Sequence, residues 1–291
     1  MPEVAIITDS LCCLPKDMVE KYSIEIVPIN IVFDGDVYRD YYDLTPNQAY
    51  ELFQKAPEAF STAPSSPVQY LEALRKASQL AKNILCITVS KHLSTVYNVA
   101  RLAGEQATKE LYGTKIKVID STTVIAAQGF IVLAAARKAA LGRGLDEVIE
   151  CAENLKTKVT FALVLETIRH VYRTGRIPRI AAQAASVLPI KPILTSSDGV
   201  VKLVGMSRNM TQGIDHIIRT LRSRVGSSPV HVAIMHAYAP DEAEKLKKRI
   251  SSEFNCAEIW TTEVSPMVGY AIGAGALGFA YYQDEGDQIQ G

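Results

Sequence analysis

The sequence predicts a two-domain α/β protein: an N-terminal parallel sheet with helices on both faces, followed by a C-terminal α+β domain. Three observations carry this. The chain has 291 residues, and about 150 residues per domain is a common size. In the first half, short β-branched apolar runs alternate with helical patterns, the signature of β-α units and a parallel sheet. Near residue 155 that alternation gives way to a hairpin signal with further helices and strands, so the domains are placed at residues 1–155 and 156–291.

The elements follow in order. Residues 4–7 (Val-Ala-Ile-Ile) read as a buried strand, followed by a helix starting near Pro15, because proline suits the first helical turn. Residues 24–27 and 29–33 are extended, and Thr45-Pro46 opens a helix. Residues 63–67 form a Ser/Pro-rich loop, 68–80 a helix and 84–89 a strand. A loop over 90–94 leads into a helix to about residue 110, and 116–119 is a strand. A nearly all-apolar helix spans 124–140, and 145–155 is a shorter one. In the second half 160–165 is a strand, and Ser197-Asp198-Gly199 between 191–194 and 200–203 signals a hairpin. Residues 210–225 and 241–254 are helical; 230–235 and 256–261 are strands.

Composition removes several function classes. Lys plus Arg and Asp plus Glu are both 31, so the net charge is zero and phosphate-tracking nucleic-acid binding is not expected. The five cysteines have no framework spacing, and no Cys/His cluster has zinc-ligand spacing. No signal peptide is read at the N-terminus, so a reduced, cytoplasmic setting is expected. Residues 264–282 carry no charge, but their glycines and Pro266 favour a buried strand–turn–helix over a membrane span.

Several groupings have the chemistry of a site. Thr8-Asp9-Ser10, Ser90 and Asp120-Ser121 end first-half strands, where open parallel sheets bind ligands. Ser94 lies at the start of the next helix, where hydroxyls and amides suit an anion. The same residue types are also ordinary helix caps, and both readings stand. Gly273-x-Gly275-x-x-Gly278 has the letters of a dinucleotide motif but lacks the required second strand and acidic residue; its turn is expected to expose amides. Arg176 and Arg208 are each either solvated or bidentate partners of a phosphate or carboxylate. His236 and the His92–Ser94 pair lack the motifs of an activated nucleophile.

Eight short motifs occur in order: Ile7-Thr8-Asp9-Ser10 with Leu14-Pro15; Val37-Tyr38-Arg39-Asp40 with Asp43; Ser61-Thr62-Ala63-Pro64-Ser65; Leu93-Ser94-Thr95-Val96-Tyr97; Val118-Ile119-Asp120-Ser121; Gly175-Arg176-Ile177; Lys191-Pro192-Ile193 with Asp198-Gly199; and the final glycine turn. Together they resemble the DegV family of bacterial fatty-acid-binding proteins over residues 5–279. The resemblance implies a tunnel between the two domains holding one long-chain fatty acid of the palmitate class. Its carboxylate would meet the hydroxyls of Thr62 and Ser94, with Ser61 assisting. It further implies a carrier without catalytic residues, cofactor or metal, which presents the acid to a separate fatty acid kinase for acyl-phosphate formation.

The departures concern the headgroup. Ala271 stands where the family commonly has a histidine, and Thr95 and Val96 stand where it has glycine and threonine. Arg176, Arg208, Ala271 and Gly273 are the expected headgroup or kinase-coupling positions, with a water or an amide of the Gly273–Gly275 turn replacing the lost donor. The alternative is an enzyme acting on a small phosphorylated or carboxylated metabolite in the same cleft, with Arg176 as its anion clamp.

Overall fold

The computed structural model describes residues 2–167, 171 and 190–283. The chain begins with β1 (Val4–Asp9), α1 (Lys16–Lys21), β2 (Glu25–Val27), β3 (Asn30–Phe33), β4 (Asp36–Arg39), α2 (Pro46–Lys55) and β5 (Phe60–Ala63). There follow α3 (Pro67–Ser78), β6 (Asn83–Thr88), α4 (Val96–Glu110), β7 (Lys115–Asp120), α5 (Ile125–Ala140) and α6 (Leu145–Lys156). Next come β8 (Thr160–Val164), β9 (Lys191–Ser197), β10 (Val200–Ser207) and α7 (Met210–Val225). The last elements are β11 (Val230–His236), α8 (Pro240–Glu253), β12 (Cys256–Glu263), α9 (Pro266–Ile272) and β13 (Leu277–Gln283). Helices α2 and α3 start alike: Thr45 and Ser66 cap, Pro46 and Pro67 open the first turn, and Gln48 and Gln69 bond back.

The first sheet is wholly parallel, in the order β2-β1-β6-β7. Every residue of β1 is buried, as expected for a strand covered on both faces. Helices α3 and α4 pack on one side; α5 and α6 lie on the other. The second sheet has the order β10-β9-β8-β13-β11-β12 and is antiparallel except for the β11–β12 pair. Its two faces separate by strand alternation. Phe279 and Tyr281 join the core under α7 and α8, whereas Ala280 and Tyr282 join the large core around α5. The hairpin turn is Asp198-Gly199, both at positive φ (55° and 81°), as a tight two-residue connection requires.

Helix α5 explains its own composition. It is sandwiched between the two sheets, touching β1 on one side and β8, β11 and β13 on the other. A helix buried all round must be apolar all round. Phe130 meets the rings of Trp260 and Tyr282, each at 5.1 Å between centroids. At Gly129 an added Cβ would lie 2.7 Å from the carbonyl of Cys12, so only glycine permits this approach. Where α5 nears its end, Arg137 forks onto Glu258 of β12, which also bonds His231 at 3.0 Å. Burial opposes ionisation of Glu258, but the hydrogen bonds from His231 and Arg137 outweigh it and hold its pKa at about 2.

Two readings need correction. A third, antiparallel sheet, β4-β3-β5, was not expected; its strand β5 carries Ser61 and Thr62 and takes in Ala63, the first residue of the expected 63–67 loop. The uncharged segment near the C-terminus runs helix–turn–strand, not strand–turn–helix, because β13 completes the second sheet between β8 and β11. The turn carrying Gly273 and Gly275 therefore follows a helix and precedes a strand, the reverse of a dinucleotide fingerprint. Among the described residues no helix is long and apolar enough to cross a membrane.

Candidate functional site

The polar ends of the parallel strands serve the fold. Asp9, fully buried, accepts from the Leu11 amide at 3.1 Å, the Val89 amide at 2.7 Å and Gln128 Nε2 at 3.2 Å. Burial outweighs these donors and raises its pKa to about 6. Asp120 accepts from the amides of Lys91 and Thr122, and Ser121 Oγ bonds within its own turn. His236 Nδ1 accepts from the Ala239 amide at 3.3 Å just ahead of α8, and burial lowers its pKa. These side chains tie strand ends together, which is the structural reading of the pattern.

Beyond those ends lies a cavity of about 340 Å³. The first sheet and its loops supply Leu11, Val89, Leu93 and Ser94, and the start of α5 supplies Val124 and Ile125. The second sheet closes it with Phe161, Leu163, Leu194 and Val201. Helix α9 adds Met267, Tyr270 and Ala271, spaced as one helical face, and β5 adds Ser61 and Thr62. Tyr270 is held by Phe53 and Phe60 at 5.5 and 5.4 Å. None of the described wall residues is charged.

The polar groups gather at one end. A second hollow of about 300 Å³ shares Leu93, Ser94, Thr62 and Met267 with the first and adds Lys91 and His92, both exposed. Thr62 and Ser94 thus stand where an apolar chamber meets a polar, cation-bearing one. Ser94 Oγ accepts from the Val96 amide at a long 3.4 Å, and Thr95, at the helix start, makes no side-chain cap. Among the described residues, the hydroxyl protons of Ser94, Thr62 and Ser61 go to no protein acceptor, so they retain donor capacity. Backbone strain sits in the same wall: Ile125 holds φ 58°, a costly region for a β-branched residue.

The expected residues divide. Ser61, Thr62, Ser94 and Ala271 come together in the wall. Gly273 does not. Its N–H donates to the Gly269 carbonyl and that of Gly275 to the Ala237 carbonyl, both at 2.7 Å, so these two amides close the helix end and the turn rather than form an anion nest. Arg208 is exposed between β10 and α7, outside the wall. Arg176 lies outside the described residues. Lys91 and Tyr270 were not anticipated. The signal for Lys91 was its place in the loop that carries Ser94; that for Tyr270 was the i, i+3, i+4 pattern of α9.

A family model described as "Uncharacterised protein, DegV family" matches residues 3–284. The chain belongs to the DegV family. A DegV domain-containing protein of Mycobacterium tuberculosis is 31% identical over 94% of this chain and 95% of its own length. One from Clostridium perfringens is 28% identical, over 97% and 99%. The fold agrees with solved DegV structures. A DegV family protein from Thermus thermophilus, described by its fatty acid binding, superposes with a TM-score of 0.86 at 26% identity, covering 98% of this chain and all of that one. DegV of Bacillus subtilis, described as a fatty acid binding protein, gives 0.87 at 25% identity with the same coverage.

Proposed function

We propose that this DegV protein binds one long-chain fatty acid in the cavity between its sheets, with the carboxylate at Thr62 and Ser94 and Ser61 assisting. The carrying observation is the junction itself: hydroxyls whose protons go to no acceptor among the described residues stand where a chamber with apolar, uncharged described walls opens onto Lys91 and His92. The described wall residues carry no charge, which suits an acyl tail better than a small polar metabolite. The fatty acids described for the Thermus and Bacillus relatives point the same way.

The energetics favour an amphiphile. Burying about fourteen methylenes at ~0.8 kcal/mol each gives roughly 11 kcal/mol of gross drive. Association takes back an estimated 4–15 kcal/mol, so the tail alone binds modestly. Charge-assisted hydrogen bonds of ~1.5–3 kcal/mol each supply the remainder. Several converging hydroxyls stabilise a carboxylate without a buried cation. Because the headgroup end adjoins the exposed Lys91 and His92, the acid is presented outward, as a carrier serving a separate fatty acid kinase needs. Ala271 lines the apolar chamber and not the hollow that holds Lys91 and His92, so Thr62 and Ser94 do the recognising.

Removing one hydroxyl tests this. Ser94→Ala is expected to weaken stearate binding by about ten- to a hundredfold, the loss of one donor to a carboxylate. Thermal stability should hardly change, since the Val96 contact is long. Isothermal titration beside a melting curve reads both. Unchanged affinity with a loss of ~1 kcal/mol in stability would make Ser94 a helix cap and nothing more.

A further inference from the structure

The loop that presents Ser94 is held from the opposite domain. Ser90, fully buried, follows β6 and is the centre of that loop. Its carbonyl accepts the amides of Leu93 at 3.0 Å and Ser94 at 3.2 Å, and its own amide donates to the Thr123 carbonyl at 2.9 Å. Its Oγ accepts from the His92 amide at 3.2 Å and donates to the carbonyl of Gly199 at 2.6 Å. Gly199 belongs to the second sheet: it is the tip of the β9–β10 hairpin. A Cβ added there would lie 2.7 Å from His92 Cδ2 and 3.0 Å from Ser90 Oγ, and the position has φ 81°. A second contact, Thr123 Oγ1 to Ser196 Oγ at 3.3 Å, fixes the same hairpin. Leu194 and Val201, in the two hairpin strands, line the cavity as well.

We infer that Ser90 and Gly199 are positioning residues for the carboxylate end of the cavity. The hairpin of the second domain sets the Ser90–Ser94 loop of the first, so that headgroup recognition depends on the docking of the two domains. This rests on the reading that Ser94 receives the carboxylate. The physical basis is the hierarchy of bonds. Ser94 reaches the ligand from a turn whose amides hang on the Ser90 carbonyl, and that residue's side chain has its strong bond outside its own domain. Loss of the bond also leaves the Gly199 carbonyl without this donor in a buried contact. The loop then relaxes, and a shift of under an ångström takes a hydroxyl out of range of a carboxylate oxygen.

The test separates headgroup from tail. Ser90→Ala and Gly199→Ala are made in the full chain, and dissociation constants are measured for stearate and for octadecanol, which has the same chain and no carboxylate. Melting curves establish that each variant is folded. Both variants are expected to bind stearate about tenfold more weakly while octadecanol binding changes less than about twofold, because only the acid uses the charge-assisted bonds. Gly199→Ala carries particular weight, since it perturbs the loop from the other domain without altering any residue of the first. Equal weakening of both ligands, or unchanged stearate binding in both variants, overturns the inference. A native protein that binds stearate no better than octadecanol overturns the carboxylate reading itself, and the inference with it.

Discussion

Asp9→Ala is expected to destabilise the protein by about 3–5 kcal/mol, because the buried Leu11 and Val89 amides lose their acceptor at ~1–3 kcal/mol each and Gln128 Nε2 is left with Thr8 Oγ1 alone. The donors belong to three segments: the Leu11 amide after β1, the Val89 amide after β6, and Gln128 of α5. Urea denaturation reads the loss. A cost below about 1 kcal/mol would mean that water reaches the site and replaces the carboxylate. The same residue has a pH signature. Its pKa is raised to about 6 in the fold, above the usual value of 3.8, so the folded state holds the proton more tightly. Its contribution is therefore greatest below pH ~4, falls as pH rises to about 6, and is level above that, by roughly 3 kcal/mol in total. The difference between the stability profiles of the native protein and Asp9→Asn isolates this contribution. A difference that grows in favour of the native protein over that interval would show a carboxylate stabilised rather than penalised by its site.

Ala271→Trp is expected to reduce stearate affinity by more than a hundredfold while leaving the fold intact. Ala271 is only partly buried and faces the cavity, so an indole grows into space the ligand needs rather than into the core. Displacing about four methylenes at ~0.8 kcal/mol each forfeits some 3 kcal/mol, which is over a hundredfold in affinity. Tail-displacement fluorescence and a melting curve check the two halves of the expectation. Full retention of stearate binding would place the acyl chain elsewhere.

How much of this was legible in the sequence depends on range. The parallel strands announced themselves by local β-branched runs, and α5 by being apolar on every face. The hairpin was legible because Asp198-Gly199 carries its own turn chemistry. The small sheet was not, since β4 is mostly exposed and β5 has only four residues, Phe60–Ala63, so neither shows a clear alternation. The placement of β13 between β8 and β11 is a long-range pairing with no local trace. The site shows the same division. Thr62 and Ser94 were marked by motif, whereas the glycine turn misled because the acceptor of the Gly275 amide, Ala237, lies in a distant segment. The clasp between Ser90 and Gly199 joins two loops that carry no shared pattern.

The central claim is that the cavity between the sheets holds a fatty acid. Native mass spectrometry of the full chain purified without added lipid, set against its denatured mass, tests it most directly. The expected result is an added mass equal to one long-chain fatty acid per chain, lost on denaturation, and absent from Ala271→Trp. A native mass equal to the bare chain, unchanged after incubation with stearate or oleate, would contradict it.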